Sequence, residues 1–365
     1  MSEPRTIRSL GIEAPHTPHF MTYEEGPLPE SHVRLETLFS GLSAGTELTF
    51  LKNSNPYLQA RWDESWGIFV EGEPGMCFPV PFLGYMEVAR VSESDVNGYS
   101  VGDIICGTYA HKSGHTADPF HELLVPLPTG IDPILGIFVA QMGPIAANGI
   151  LHADAEIFGA NVKKLGDGIS GRPILVLGGG TVGFLTALFA REAGATVVIA
   201  DPSPFRRQKA EDLGIAAMDE KRAWQHAKAA WRHGASDRGA DIVFQTRPRS
   251  DSLHIALRSL RPQGTVIDLA FYQGGADQTR LGEEFHHNGL GIRCAQIRRV
   301  PRGLSHLWDR PRLAAETIGL LSRHGEAIHR TMISHVVPID DAPAFLQSLL
   351  SDRPDFLQIV FSFAQ

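Results

Sequence analysis

One stretch limits what this chain can become more than any other. Residues 173–183 read Pro-Ile-Leu-Val-Leu-Gly-Gly-Gly-Thr-Val-Gly, and a second apolar run at 196–200 ends on Asp201. The apolar run predicts a buried strand, the glycines a Gly-x-Gly-x-x-Gly turn, and 184–193 has helical periodicity. A strand, a glycine turn, a helix and a second strand closed by an acid build a site for a dinucleotide. Gly178 permits the tight turn, Gly180 lets the backbone approach a pyrophosphate, and Gly183 lets helix and strand pack closely. Gly178, Gly180, Thr181, Val182 and Gly183 are therefore the candidate pyrophosphate contacts, because unpaired N–H groups and the helix dipole favour an anion there. Asp201 lies about 20 residues downstream, where a carboxylate binds a ribose 2′-OH. The alternative is a glycine-rich turn in some other doubly wound sheet.

At 365 residues the chain is long enough for two domains with separate cores. Its formal charge of −8 argues against nucleic acid or an anionic lipid surface as a partner. No apolar run reaches the roughly 18 residues that span a bilayer, and no secretory h-region opens the sequence. Three cysteines, Cys77, Cys106 and Cys294, are too few and too scattered for a disulfide framework or a cysteine-rich zinc site. These readings fit a cytoplasmic protein acting on a small molecule.

The organisation changes along the chain. Up to about residue 150 it is β-rich, with strand-like runs at 33–39, 88–91 and 104–108 set off by turn signals. From 172 onward, strands at 174–177, 196–200, 241–245, 265–270 and 291–296 alternate with helices at 205–213, 223–232 and 252–260. That alternation implies an α/β fold with a doubly wound parallel sheet and right-handed crossovers. A helix from 309 to about 324, a strand at 333–337, a short helix at 342–350 and a last strand at 357–363 finish the chain. The expected domains are 1–150 with 325–365, and 151–324. Residues 53–76 carry Tyr57, Trp62, Trp66 and Phe69 with little periodicity, and read as a long loop that walls the substrate site or contacts another subunit.

The words Ser40-Gly-Leu-Ser-Ala-Gly-Thr-Glu47, Leu83-Gly-Tyr-Met-Glu-Val88, Val101-Gly-Asp103, Val176-Leu-Gly-Gly-Gly-Thr-Val-Gly183, Gly239-Ala-Asp-Ile-Val-Phe244 and Phe271-Tyr-Gln-Gly274 carry a family likeness. Over nearly its whole length the chain resembles the medium-chain dehydrogenase/reductase superfamily of zinc-type alcohol dehydrogenases. Gly143-Pro-Ile-Ala-Ala-Asn-Gly149 and Leu281-Gly-Glu-Glu-Phe-His-His-Asn288 look like a branch near threonine/sorbitol dehydrogenase-like and bacteriochlorophyllide dehydrogenase-like proteins. The resemblance implies a GroES-like catalytic domain beside a Rossmann domain and NAD(P)-dependent hydride transfer; separately, edge strands around 291–296 suggest a homodimer.

The same resemblance exposes a departure. Zinc members of the superfamily hold a catalytic ion with three protein ligands. Here the first position is Ala44, the second is Tyr85 with Met86 behind it, and the third aligns with Gln141. A methyl group does not ligate zinc, and an amide or phenol does so poorly beside thiolate, imidazole and carboxylate. The cysteines of a structural zinc lobe are missing too, so no zinc is expected. A rebuilt site would have to come from the sixteen histidines. His111, His115 and His121 lack a compact ligand spacing, and the adjacent His286 and His287 diverge.

Without a Lewis acid, hydrogen-bond donors must polarise the substrate oxygen. Thr46 matches the hydroxyl that relays the alcohol proton in the superfamily, although it could also cap the helix that follows. Tyr85 stands in a former ligand position and could donate to a carbonyl oxygen, or accept a proton if its pKa were lowered. Glu47 could orient either hydroxyl, and His111 is a second proton-carrier candidate. Asp201 favours NAD over NADP because a carboxylate repels a 2′-phosphate, while Arg206 and Arg207 could stack on adenine or accept a phosphate. Ala270, Phe271 and Tyr272 follow the fifth strand, on the nicotinamide side in this superfamily. The leading expectation is a zinc-independent NAD(H)-dependent oxidoreductase that interconverts a polyol, sugar or cyclic alcohol and a ketone. The alternatives are an NADPH-dependent quinone or enoyl reductase, and a non-catalytic NAD(H)-binding redox sensor or partner protein.

Overall fold

A computed structural model describes residues 3–351 and 354–363. The chain forms two compact units. One takes the chain up to Gln141 and again from Ile333; the other is Met142–Met332.

The first unit opens with a hairpin of β1 (Arg5–Ala14) and β2 (Thr17–Glu25). Then come β3 (Val33–Gly41), the short helix α1 (Ala44–Leu51), a second hairpin of β4 (Ala60–Asp63) and β5 (Ile68–Glu71), and strands β6 (Glu87–Ser94), β7 (Ile104–Gly107), β8 (Gly114–Ala117) and β9 (Val125–Pro126). An isolated helix as short as α1 would not persist in water. It holds because Leu48, Phe50 and Leu51 sink into a core with Leu10, Val80 and Phe361.

The second unit holds α2 (Met142–Phe158), β10 (Pro173–Leu177), α3 (Thr181–Glu192), β11 (Thr196–Ala200), α4 (Pro204–Asp212) and β12 (Ala216–Met218). It continues with α5 (Ala223–Ala230), β13 (Ala240–Gln245), α6 (Ser250–Ser259), β14 (Leu260–Asp268), α7 (His286–Asn288), β15 (Gly291–Cys294) and α8 (Arg310–Met332). Its six parallel strands lie in the order β12-β11-β10-β13-β14-β15. Strand order reverses between β10 and β13, and ligands bind such sheets at that point, beyond the carboxyl ends of the strands.

The chain then re-enters the first unit with β16 (Ile333–Pro338), α9 (Ala342–Ser351) and β17 (Gln358–Ser362). β17 pairs antiparallel with β3, which completes a seven-stranded sheet with β16, β6, β7, β8 and β9. Among the described residues, no helix is long and apolar enough to cross a membrane.

The units divide at 141/142 and 332/333, whereas the sequence places the boundaries at 150/151 and 324/325. Two continuous helices account for the difference: α2 starts at Met142 and α8 runs on to Met332. Their close approach explains Gly143, where a Cβ would lie 2.3 Å from Thr317 Oγ1. Segment 53–76, expected to be an irregular loop, contains the β4–β5 hairpin. Trp62 and Phe69 pair across it edge-to-face, and Asp63 Oδ1 accepts the Ser65 and Trp66 N–H groups at its tip. Strands this short leave no measurable alternation in sequence.

Candidate active site

The hydroxyl cluster of the first unit grows out of the N-terminus of α1. Ser43 is the N-cap residue, and a serine there normally bonds an N–H of the first turn. It makes no such side-chain cap bond. Its Oγ instead contacts Tyr85 Oη, and Tyr85 Oη donates to Thr46 Oγ1 at 3.2 Å. With Tyr85 donating to Thr46, Ser43 donates to Tyr85, and the proton of the partly exposed Thr46 hydroxyl remains for a ligand. Three hydroxyls thus form a one-way chain in which each polarises the next. Burial first, and then the charge of Glu47, push the Tyr85 phenol up to about 12. Tyr85 is therefore a proton donor at neutral pH, and the sequence alternative of a lowered pKa is corrected.

Glu47, in the first turn of α1, reaches back to the N-cap residue. Its Oε1 accepts the Ser43 N–H at 2.8 Å and its Oε2 faces His111 Nε2 at 2.7 Å. On the other side of the ring, His111 Nδ1 contacts Ser40 Oγ, which donates to Glu87 Oε1 at 3.0 Å. Glu87 Oε2 accepts the Tyr109 N–H. All four side chains are buried. Burial pulls the His111 imidazole down, but Glu47 and Glu87 outweigh it and hold its pKa above the ordinary value. Burial likewise pushes the Glu87 carboxyl up to about 7, against the pull of His111. Backbone geometry is committed to this network. Ala110, with φ 82°, sits in the left-handed region and aims the next residue inward. A Cβ on Gly84, where φ is +99°, would stand 2.7 Å from the His111 ring.

Thr46, Tyr85 and Glu47 are thus brought together, and His111 joins them through Glu47. Both ring nitrogens of His111 are engaged inside the protein, so it reads as a positioning residue rather than as a second proton carrier. Ser43, Ser40 and Glu87 escaped the sequence reading. A glutamate directly before the apolar pair Val88-Ala89 was the available signal for Glu87. The three nearby histidines do not converge: His111 pairs with Glu47, His115 with Glu122 and His121 with Asp118. The His286 and His287 rings stand nearly perpendicular, at 83°.

In the second unit the glycine turn joins β10 to α3. A Cβ on Gly183 would lie 1.9 Å from the Gly178 carbonyl oxygen, and Gly178 itself has φ +102°. Both are glycine for the sake of the fold. Gly180 differs, because a Cβ there would meet nothing within 4 Å. It is the N-cap of α3 and leaves open space where backbone donors of Thr181, Val182 and Gly183 begin the helix. An open, glycine-lined helix start suits a pyrophosphate. Asp201 closes β11, fully buried, with Oδ2 accepting the Gly179 N–H at 2.7 Å and Oδ1 the Ser203 N–H at 2.8 Å. Arg206 lies beside it, 3.7 Å away. Thr246, which the sequence reading missed, donates to the Leu177 and Gly178 carbonyls and pins the turn. Ala270, Phe271 and Tyr272 follow the end of β14. The sequence reading extends that strand to 270, but it stops at Asp268, whose carboxylate accepts the Ala270 N–H and the Tyr272 hydroxyl. Burial and then Asp268 raise the Tyr272 phenol, so it stays protonated.

Comparisons with known proteins agree with this fold. The zinc-binding dehydrogenase family pattern matches residues 181–305. A D-guloside 3-dehydrogenase of Escherichia coli is 25% identical over 358 residues, covering 96% of this chain and 97% of that protein. The crystal structure of 2R,3R-butanediol dehydrogenase from Bacillus subtilis superposes with a TM-score of 0.71 at 15% identity, over 98% of this chain and 99% of that one. L-idonate 5-dehydrogenase of Escherichia coli gives 0.70 at 14% identity, over 99% and 100%. At those identities the structural likenesses establish the fold. Fold, turn and relatives together define a nicotinamide-dinucleotide-dependent oxidoreductase. The chain is similar over nearly its whole length to zinc-type alcohol dehydrogenases, and its segment 181–305 carries the zinc-binding dehydrogenase pattern.

Proposed function

We propose that this protein interconverts a secondary alcohol of a sugar, polyol or cyclic compound and the corresponding ketone, using NAD(H) and no catalytic zinc. The observation that carries this reading is the hydroxyl chain Ser43–Tyr85–Thr46, whose Tyr85 aligns by the superfamily resemblance with a metal-ligand position. The donor set does not fit the ion. Ala44 offers a methyl, Tyr85 a phenol that stays protonated, and Gln141 a neutral amide. No step is therefore routed through zinc.

Bound at the Gly178–Gly183 turn, the dinucleotide would supply the hydride chemistry. The protein's share is to hold the substrate oxygen and manage one proton. In reduction, Thr46 donates its hydroxyl hydrogen bond to the ketone oxygen, with Tyr85 and Ser43 polarising it from behind. In oxidation, the alcohol gives its hydride from carbon to NAD⁺ and its hydroxyl proton to solvent by way of the partly exposed Thr46 hydroxyl, which yields ketone, NADH and H⁺; reduction draws its proton from solvent by the same exit. Preorganised donors of this kind contribute by meeting charge as it develops on oxygen. Glu47 and His111 fix the Ser43 backbone and so aim the chain. The buried Asp201 carboxylate at the end of β11 supports NAD rather than NADP, and Arg206 would flank the adenosine. The relative that acts on a D-guloside supports a sugar-derived substrate. The exposed edge strand β15 supports pairing with a second copy.

The test is turnover by metal-stripped protein with NAD⁺ against a panel of glycosides, polyols and cyclic alcohols, followed through NADH absorbance. Activity that persists in chelator, with NADH bound more tightly than NADPH by calorimetry, is expected. Activity recovered only on adding zinc would refute the zinc-free mechanism, and a clear NADPH preference would refute the role given to Asp201.

A further inference from the structure

The connection between β14 and β15 carries a side-chain group that the hydride chemistry leaves unused. Residues Leu281–Phe285 form one wide helical turn, and its backbone breaks at Glu283, with φ −97° and ψ −121°. On a regular helix successive side chains point about 100° apart, so two consecutive glutamates do not face one partner. Here they do. A ring nitrogen of His254, on α6, and one carboxylate oxygen from each of Glu283 and Glu284 lie within 4.8 Å of one another. Arg280 donates to Oε1 of Glu283 and Arg258 to Oε1 of Glu284. The other Glu284 oxygen, Oε2, and the His254 Nδ1 are both sealed from solvent, and neither has a hydrogen-bond partner. Two buried polar atoms left unsatisfied in one small cluster are costly, and such atoms commonly mark an ion or an ordered water.

We propose that His254, Glu283 and Glu284 bind a divalent transition-metal ion, for which zinc is the best match. An imidazole nitrogen and two carboxylate oxygens suit zinc, and a water would complete a tetrahedron. Bond lengths of about 2.1 Å place neighbouring ligand atoms about 3.4 Å apart, so small side-chain rotations close the site. Arg280 and Arg258 each hold one oxygen of Glu283 and Glu284 and so orient both carboxylates, as outer partners do at metal sites. The ion would tie α6 to the turn that delivers Phe285 to the core of the parallel sheet. It would be structural, and independent of the reaction proposed above.

Equilibrium dialysis of the chelator-stripped full-length protein against zinc, with bound metal measured per chain, tests this. Wild type is expected to retain one equivalent, and His254→Ala and Glu283→Gln to bind at least tenfold more weakly. Glu283 is exposed, so its variant folds; NADH affinity serves as the folding control for both. Wild type retaining no zinc, or either folded variant retaining it as wild type does, overturns the site. Turnover in chelator is unchanged in every case, so loss of this site leaves the catalytic reading standing.

Discussion

Replacing Tyr85 with phenylalanine removes one oxygen and tests the hydroxyl chain directly. The ring keeps its place, but the Ser43 Oγ and Thr46 Oγ1 contacts vanish. At about 1 kcal/mol for each net hydrogen bond, and with the partly exposed Thr46 able to turn to water, the fold loses about 1–2 kcal/mol. The larger effect falls on the reaction. Thr46 loses the group that orients its proton outward, so the donor no longer meets charge developing on the substrate oxygen. Removing one preorganised donor of this type costs roughly 10²–10³ in kcat, about 2.7–4 kcal/mol. Steady-state kinetics in the ketone-reducing direction, with NADH affinity measured by fluorescence, read both quantities. A fall in kcat of about 10²-fold with NADH affinity unchanged is expected. Because the wild-type phenol titrates only near 12, no limb of the pH–rate profile below pH 9 should disappear in the variant. A kcat within threefold of wild type would refute the reasoning, as would a new pH dependence near neutrality.

Two glycines of the dinucleotide turn should respond oppositely. Gly183→Ala drives a Cβ into the Gly178 carbonyl and should destabilise the fold by several kcal/mol, as overpacking does. Gly180→Ala meets open space and should leave the thermal midpoint unchanged while weakening NADH at least tenfold; unchanged NADH affinity would remove the pyrophosphate from that face. Glu87 predicts a pH dependence of stability. Its carboxyl is raised from 4.5 to about 7. Between those values the fold keeps a proton that the unfolded chain has released, so stability falls as pH rises through the window, by on the order of 3 kcal/mol. The raised His111 adds a term of the same sign, lost as pH rises through its folded value. In Glu87→Gln the amide oxygen can accept the Tyr109 N–H and the NH₂ can donate to Ser40 Oγ. Urea unfolding at pH 5 and pH 8 should therefore show a flatter dependence than wild type, and an unchanged slope would rule out Glu87 as its source.

The dinucleotide unit was largely legible in the amino-acid order, because its information is local. Strand, turn, helix and acid lie within 173–201, and each glycine answers a constraint set by its near neighbours in the chain. That Ala44 offers only a methyl and Tyr85 only a phenol was legible for the same reason: each is a fact of composition at a position. The hydroxyl and carboxylate cluster was readable only in part. Thr46, Tyr85, Glu47 and His111 stood out, but not what joins them, since Ser40, Ser43, Tyr85, Glu87 and His111 are scattered over some seventy residues and meet only when β3, α1, β6 and the loop carrying His111 pack together. Only the packed fold buries those charges, which raises the Tyr85 and Glu87 pKa values and makes one a donor and the other a neutral-pH titrator. It also turns Glu283 and Glu284 toward His254, against the divergence their adjacency implies. Sequence alone determined which chemical groups are available and the local turn that receives a dinucleotide. Tertiary structure decided which of those groups touch and which proton each holds, because contact and desolvation depend on distances that chain order does not contain.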